Sequence, residues 1–138
     1  GLFVVHVDDD DTVSPLYIPT ILDAITTEID AVLIRGERLD EGSKVWEFTY
    51  DVGGDGFYRR EHGAWEGGDE GLVVRKPVDH LCPVRTDIAK AVPFVDRRIN
   101  EDVEWSRDVA PRIRSAARAN GVLYTYRTKA GREWERVE

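Results

Sequence analysis

Apolar residues along this chain fall into short dense runs separated by polar, glycine-marked stretches, the pattern of an α/β protein rather than a helical bundle. The first run, Leu2 to Val7, is β-branched and aromatic-rich and reads as a buried strand. Ile18, Ile21, Leu22, Ile25 and Ile29 then follow helical spacing, which predicts an amphipathic helix over 15–28. Ser14 is placed to cap it and Pro15 to occupy its first turn. Asp30 leads into a second short apolar run, Ala31 to Ile34, read as the next strand. Strand, helix and strand in such a span form a βαβ unit and predict a parallel sheet.

The pattern changes between Arg35 and Lys76. Nine of the twelve glycines lie there, among alternating segments such as Val45-Trp46-Glu47-Phe48-Thr49-Tyr50. This is the signature of β-hairpins, with Gly53-Gly54-Asp55-Gly56 and Gly67-Gly68-Asp69 as turns. Neither cluster leads into a helix or carries a P-loop lysine, so a flexible acceptor-side loop is expected rather than a phosphate cradle. Val78 to Arg85 reads as a strand, and Thr86 to Ala91 as a short helix capped by Thr86 and ended by Pro93. A longer helix is expected from Asn100 to about Arg118, kinked or broken at Pro111 and closed by Gly121. Val122 to Arg127 reads as the last strand. The expected organisation is one α/β domain over 1–127 and a charged tail over 128–138.

Composition narrows the partners. The 138 residues suffice for one domain that buries about two-thirds of its unfolded surface. A formal net charge of −8 argues against a phosphate backbone or an anionic membrane surface as partner. Cys82 is the one cysteine, so an internal disulfide and a cysteine-based zinc cluster are excluded; a reducing, cytoplasmic setting is the expectation. No run approaches the roughly 20 apolar residues of a membrane span. The chain holds no methionine and opens inside its first strand. Gly1 is therefore expected not to be a natural start, with part of a functional site upstream.

Three places carry candidate chemistry: Asp8 to Asp11, His80, and Glu101-Asp102. Four carboxylates at the carboxyl end of a strand repel one another, and their ionised form calls for a cation, backbone N–H donors or open water. Ligands of open α/β sheets bind at that end of the strands. Two aspartates with one residue between suit Mg²⁺ or Mn²⁺ shared with a diphosphate, and a carboxylate across the crevice suits a general base. Each place also has a plain structural reading: a solvated acidic turn, a hydrogen-bonded histidine, and capping charge in a first helical turn.

The order of these segments resembles the inverting family 2 glycosyltransferases of GT-A fold. The strand running into Asp8-Asp9-Asp10-Asp11, followed by Ser14-Pro15-Leu16-Tyr17-Ile18 and Ile21-Leu22-Asp23-Ala24-Ile25, is similar to that family's DxD strand and next helix. Asp30 to Ile34 resembles the strand after it. His80-Leu81-Cys82-Pro83-Val84-Arg85 and Asn100-Glu101-Asp102-Val103-Glu104-Trp105 look like the acceptor-side strand and the helix whose Glu-Asp pair holds the catalytic base. The resemblance implies a partial GT-A sheet with flanking helices, a β-hairpin excursion, and a missing nucleotide-binding half that would precede Gly1. It implies a nucleotide-sugar donor and Mn²⁺ or Mg²⁺, with Asp8 and Asp10 serving the diphosphate and metal. Asp9 and Asp11 stay open within the four-residue register. Asp102 would be the base, Glu101 its support, and His80 a further ligand or acceptor contact.

Two other readings compete. Asp8-x-Asp10-x-Thr12 after an apolar strand also resembles the first motif of haloacid-dehalogenase-like phosphatases, with Asp8 as nucleophile and Asp10 as acid. No convincing lysine-bearing segment or later aspartate pair accompanies it, and the Glu101-Asp102 helix is left unexplained. The third reading is a non-catalytic α/β module whose acidic cluster binds a cation or a basic partner.

Overall fold

The computed structural model describes residues 2–26, 28–53, 57–93 and 101–128. The chain runs β1 (Phe3–Val4), β2 (Thr12–Val13), α1 (Tyr17–Ala24), β3 (Ala31–Asp40), β4 (Ser43–Asp51), β5 (Arg59–Ala64), β6 (Glu70–Pro77), β7 (Val84–Arg85), α2 (Thr86–Ala91), α3 (Glu101–Val109), a 3₁₀ turn (Ala110–Arg112) and β8 (Ala116–Thr128). It is a mixed α/β protein with a mostly sheet core. All eight strands join one sheet along the path β1-β7-β3-β4-β6-β5, with β8 pairing β3 and β2.

The long strand β3 organises the sheet. On one side it runs parallel to β8 from Ala31↔Ala116 to Asp40↔Thr128. On the other it meets β7 at Ala31↔Val84 and then β4 from Gly36↔Phe48 onward, both antiparallel. The run Ala31 to Ile34 is fully buried, as expected, but the strand continues six residues further as the first arm of a hairpin. Glu41 and Gly42, with φ of 50° and 85°, turn that hairpin. A second hairpin joins β5 and β6 through Gly67 and Gly68, both at positive φ. Gly54 to Gly56 of the other expected turn lie outside the described residues.

The parallel βαβ unit forms only in a split version. β1 and β7 are antiparallel, as are β7 and β3, so β1 and β3 point the same way with β7 between them. The first strand is therefore not central: only Phe3 and Val4 are laddered, both half-buried, and Leu2 and Val7 are exposed. The expected helix over 15–28 is confined to Tyr17–Ala24. Ser14 forms a turn instead of a cap, its carbonyl accepting Tyr17 N–H at 2.9 Å and its Oγ accepting Leu16 N–H at 3.1 Å. At the other end Ile25 is extended and the helix stops.

Three further elements differ from the pattern. Val78 to Pro83 is a buried turn and only Val84–Arg85 is strand, because the Asp79 carboxylate accepts Leu81 N–H at 2.9 Å and its carbonyl Cys82 N–H at 3.1 Å. The helix α2 spans 86–91 as expected, but Arg85 occupies its cap position and Thr86 N–H donates to Leu2 O at 2.8 Å. The long helix ends at Val109, since Pro111 admits only a 3₁₀ turn, and Gly121 lies inside β8 at φ 80° where the ladder to β3 shifts register. The last strand thus runs 116–128 rather than 122–127. The cap residue Asn100 and nearly all of the tail lie outside the described residues.

Strand alternation gives the sheet two unlike faces. Gly36, Phe48, Tyr50 and Tyr124 share the apolar face, where Phe48 meets Tyr50 and Tyr124 edge-on at 6.1 and 6.3 Å. Tyr17 and Ile21 of α1 and Trp105 and Val109 of α3 belong to the same core. On the other face Glu47 is fully buried. Its carboxylate accepts Glu66 N–H at 3.0 Å, pairs with Lys44 and lies 3.4 Å from the Arg35 guanidinium. A charge buried this completely is tolerable only with such partners. It fastens the β5–β6 turn onto β4, and Trp65 covers Lys44 at 4.6 Å.

Candidate functional site

The acidic segment leaves β1 and returns as β2, making a turn in which Asp11 N–H donates to Asp8 O at 3.0 Å. Asp8, Asp9 and Asp10 are exposed, while Asp11 is half-buried. The difference comes from Tyr124. Its ring is buried in the sheet, and its hydroxyl donates to Asp11 Oδ2 at 2.5 Å while accepting Asp8 N–H at 3.2 Å. Arg127 N–H donates to the other Asp11 oxygen at 3.0 Å. Burial, reinforced by the Asp11 carboxylate, pushes the Tyr124 phenol well above its ordinary value, so it serves as a neutral donor. Asp11 therefore holds the turn to the sheet, and the turn presents Asp8, Asp9 and Asp10 outward.

His80 sits in the buried turn before β7. Its carbonyl accepts His6 N–H at 3.1 Å, tying that turn to the chain just ahead of the aspartates. The His80 side chain is largely buried, and its Nε2 lies 3.5 Å from Asp8 Oδ1. The His6 ring stands 6.2 Å from His80 and 6.5 Å from Trp105. Trp105 is locked in turn: its indole N–H donates to Val92 O at 2.6 Å, and the neighbouring Ser106 hydroxyl to Val78 O at 2.6 Å. These contacts set α3 beside the His80 turn with its first turn one helical turn away from Trp105.

Of the residues expected from the sequence, the structure thus brings Asp8 and His80 into contact and places Asp9 and Asp10 on the same turn. Asp11, on the same turn, accepts from the Tyr124 hydroxyl and the Arg127 N–H. Glu101 and Asp102 begin α3, and their side chains lie outside the described residues. Two participants carried no sequence signal. Tyr124 reads as an ordinary strand aromatic, and His6 as one polar position in an apolar run. Cys82, fully buried, has its thiol pushed well above the usual range by desolvation and by nearby Asp79, which removes it from nucleophilic chemistry.

Among the described residues, no three histidine, cysteine, aspartate or glutamate side chains are grouped to enclose a metal ion. What the site offers is an oxygen and an imidazole nitrogen 3.5 Å apart. Neighbouring corners of an octahedron with bonds of about 2.1 Å lie about 3 Å apart, so small side-chain adjustments let Asp8 and His80 share one ion. The carboxylate is a ligand type suited to Mn²⁺ or Mg²⁺, whereas an imidazole is more typical of Zn²⁺, Cu²⁺, Fe²⁺ or Ni²⁺. No helix among the described residues is long and apolar enough to cross a membrane. Comparison with known proteins finds no family model, no curated relative and no solved structure that matches the chain.

Proposed function

We propose that this chain is the metal- and acceptor-binding portion of an inverting glycosyltransferase of GT-A type, acting on a nucleotide-sugar donor. One observation supports the reading: Asp8 and His80, far apart in sequence, lie 3.5 Å apart, and the His6 ring stands beside both His80 and Trp105 of α3. The split unit β1–α1–β3 supports it as well, because the acidic turn follows the carboxyl end of β1.

In this reading Asp8 and His80 hold the ion, and Asp10, two residues on and exposed, faces the donor diphosphate. A bound Mn²⁺ or Mg²⁺ supplies charge compensation for the departing diphosphate. Tyr124 and Asp11 keep the turn from relaxing when that charge is bound and released. Asp102, in the first turn of α3, takes the proton from the acceptor hydroxyl, and Glu101 beside it supports that carboxylate. Attack from the face opposite the leaving group inverts the anomeric centre.

Thermal unfolding with Mn²⁺ or Mg²⁺, each with and without UDP, GDP or inorganic phosphate, tests this directly. A ligand at a hundred times its dissociation constant adds about 2.7 kcal/mol. Stabilisation by Mn²⁺ with a nucleoside diphosphate, abolished in Asp8→Asn/Asp10→Asn, is the expected result. A response to Mg²⁺ and phosphate alone favours the phosphatase reading, and no metal response in any combination removes both enzymes in favour of a binding module.

A further inference from the structure

Among the described residues, the polar or charged side chains that are buried are those of Glu47, Thr49, Asp79 and Ser106. Glu47 and Thr49 belong to the sheet face away from the helices, where Lys44, Arg35 and Arg118 reach them. The other two act on one segment, the turn that carries His80. The Asp79 carboxylate accepts Leu81 N–H at 2.9 Å and its carbonyl accepts Cys82 N–H at 3.1 Å. A single residue thus closes both an Asx-turn and the β-turn 79–82, in which His80 is the first central residue. From α3 the Ser106 hydroxyl donates to Val78 O at 2.6 Å. His6 N–H donates to His80 O at 3.1 Å, and Val32 N–H to Pro83 O at 2.9 Å.

These bonds divide by what they fix. Ser106, His6 and Val32 act from neighbouring elements on the carbonyls of Val78, His80 and Pro83, and so place the segment as a whole. The N–H groups of Leu81 and Cys82 both go to Asp79, within the turn itself, and these bonds set the backbone at His80 and with it the direction its ring takes. That direction brings His80 Nε2 to 3.5 Å from Asp8 Oδ1. The fully buried Tyr50 lies close enough to the Asp79 carboxylate for its phenol, raised chiefly by burial, to be raised further by that charge. A buried carboxylate is costly, and a satisfied buried polar group specifies one arrangement of what surrounds it. We propose that Asp79 is a positioning residue: it fixes the turn that aims the His80 imidazole at Asp8, and through His80 it sets the affinity of that pair for a divalent ion. The second half rests on the metal-dependent glycosyltransferase reading; the aiming of His80 does not. Loss of a group that orients a metal-binding imidazole without touching the metal typically weakens binding by roughly 10–100-fold.

Long-range proton–nitrogen NMR of the histidine rings tests this on the wild-type chain, Asp79→Asn and Asp79→Ala, each with and without Asp8→Asn, the His80 signal being assigned with His80→Gln. In the wild type Asp8→Asn displaces the His80 Nε2 resonance. Asp79→Asn, whose amide oxygen still accepts Leu81 N–H, retains that displacement, and in Asp79→Ala it falls several-fold. If Asp79→Ala does not fold, Asp79→Ser, with a shorter acceptor, takes its place and a partial loss is expected. Gly71→Ala forces a Cβ against Trp65 in the β5–β6 hairpin, destabilises the chain without touching the turn, and leaves the displacement unchanged. No displacement in the wild type, its loss in Asp79→Asn, its full retention in Asp79→Ala or Asp79→Ser, or an equal loss in Gly71→Ala overturns the assignment. Mn²⁺ titration of the same signal tests the second half: Mn²⁺ broadens it in the wild type and in Asp79→Asn, and roughly tenfold more Mn²⁺ is needed in Asp79→Ala. Broadening at an equal concentration in Asp79→Ala overturns the link from Asp79 to the ion and leaves the metal reading standing. A signal that stays sharp in the wild type, with the Asp79-dependent displacement intact, removes the metal reading and leaves Asp79 as the residue that aims His80.

Discussion

The geometry around Tyr124 makes its hydroxyl the part of the acidic turn whose removal is most informative. Tyr124→Phe keeps the ring against Phe48 and deletes two hydrogen bonds, one to the Asp11 carboxylate at 2.5 Å and one from Asp8 N–H at 3.2 Å. A hydrogen bond to a charged group is worth about 1.5–3 kcal/mol and a neutral one about 0.5–1.5 kcal/mol. Asp11 keeps Arg127 N–H and is only half-buried, so water recovers part of the loss. The net cost is about 2 kcal/mol. With an m-value of about 2 kcal/mol/M, this moves the urea midpoint down by about 1 M without changing the slope. Asp11→Asn weakens the same contact, so the double variant costs less than the sum of the singles by about 1 kcal/mol. Under the proposed function, Mn²⁺–nucleotide stabilisation is also expected to weaken in Tyr124→Phe, because the Asp8 N–H loses its acceptor. A stability unchanged within about 0.5 kcal/mol, or strict additivity with Asp11→Asn, would refute the claim that this hydroxyl positions the turn.

Two other expectations concern the apolar face. A Cβ at Gly36 would lie 2.1 Å from the Phe48 Cζ, and Phe48 is wedged between Tyr50 and Tyr124, so Gly36→Ala costs about 2–3 kcal/mol in urea unfolding; Phe48→Leu in the same chain restores part of it, and a neutral Gly36→Ala would show the contact to be soft. Tyr17 is pushed up to about 12 by burial, with Cys82 nearby adding to it, and Tyr50 and Tyr124 are raised further, again chiefly by burial. The unfolded chain loses these protons near pH 10 and the folded chain keeps them, so ν_U is below ν_N and stability falls as pH rises from about 10 towards 12. Each tyrosine contributes at most about 1.4 kcal/mol per pH unit, and cooperative unfolding over that window, followed by tyrosinate absorbance and near-ultraviolet circular dichroism, is the expected outcome. Ionisation of all five tyrosines near pH 10 with the fold intact would contradict it.

What could be read in the sequence was local, and what could not was imposed from a distance. The run Ala31 to Ile34, the Gly67-Gly68 turn, the α2 span and the break at Pro111 each follow from residues within one turn or one strand, and each appears where expected. The fate of Leu2 to Val7 does not. Its apolar pattern suits a central strand, but its neighbour is β7, contributed some eighty residues later, and only two residues are laddered to it. Gly121 misled for the same reason: its positive φ suits a helix end equally well as a bulge, and the ladder to β3 decides for the bulge.

The candidate site follows the same division, and this bears on how it would work. Asp8, Asp10, His80 and Asp102 were visible because their chemistry is unusual for their positions. Tyr124, His6 and Trp105 were not, because an aromatic in a strand or helix is ordinary until its partners are known. Yet these three hold the conspicuous residues in place: Tyr124 sets the turn, and His6 and Trp105 bring the His80 segment and α3 to it. An exposed run of carboxylates has no intrinsic geometry, since mutual repulsion spreads it in water. Binding a divalent ion and a diphosphate in a fixed pose requires that spreading to be opposed before the ligand arrives. Here the restraint comes from a neutral phenol donor and a backbone N–H acting on Asp11, a residue that itself need never touch the ligand. The fourth aspartate thus anchors the turn that carries the other three, and under the proposed function Asp11→Asn is expected to weaken Mn²⁺–nucleotide binding while leaving Asp8, Asp10 and His80 chemically intact.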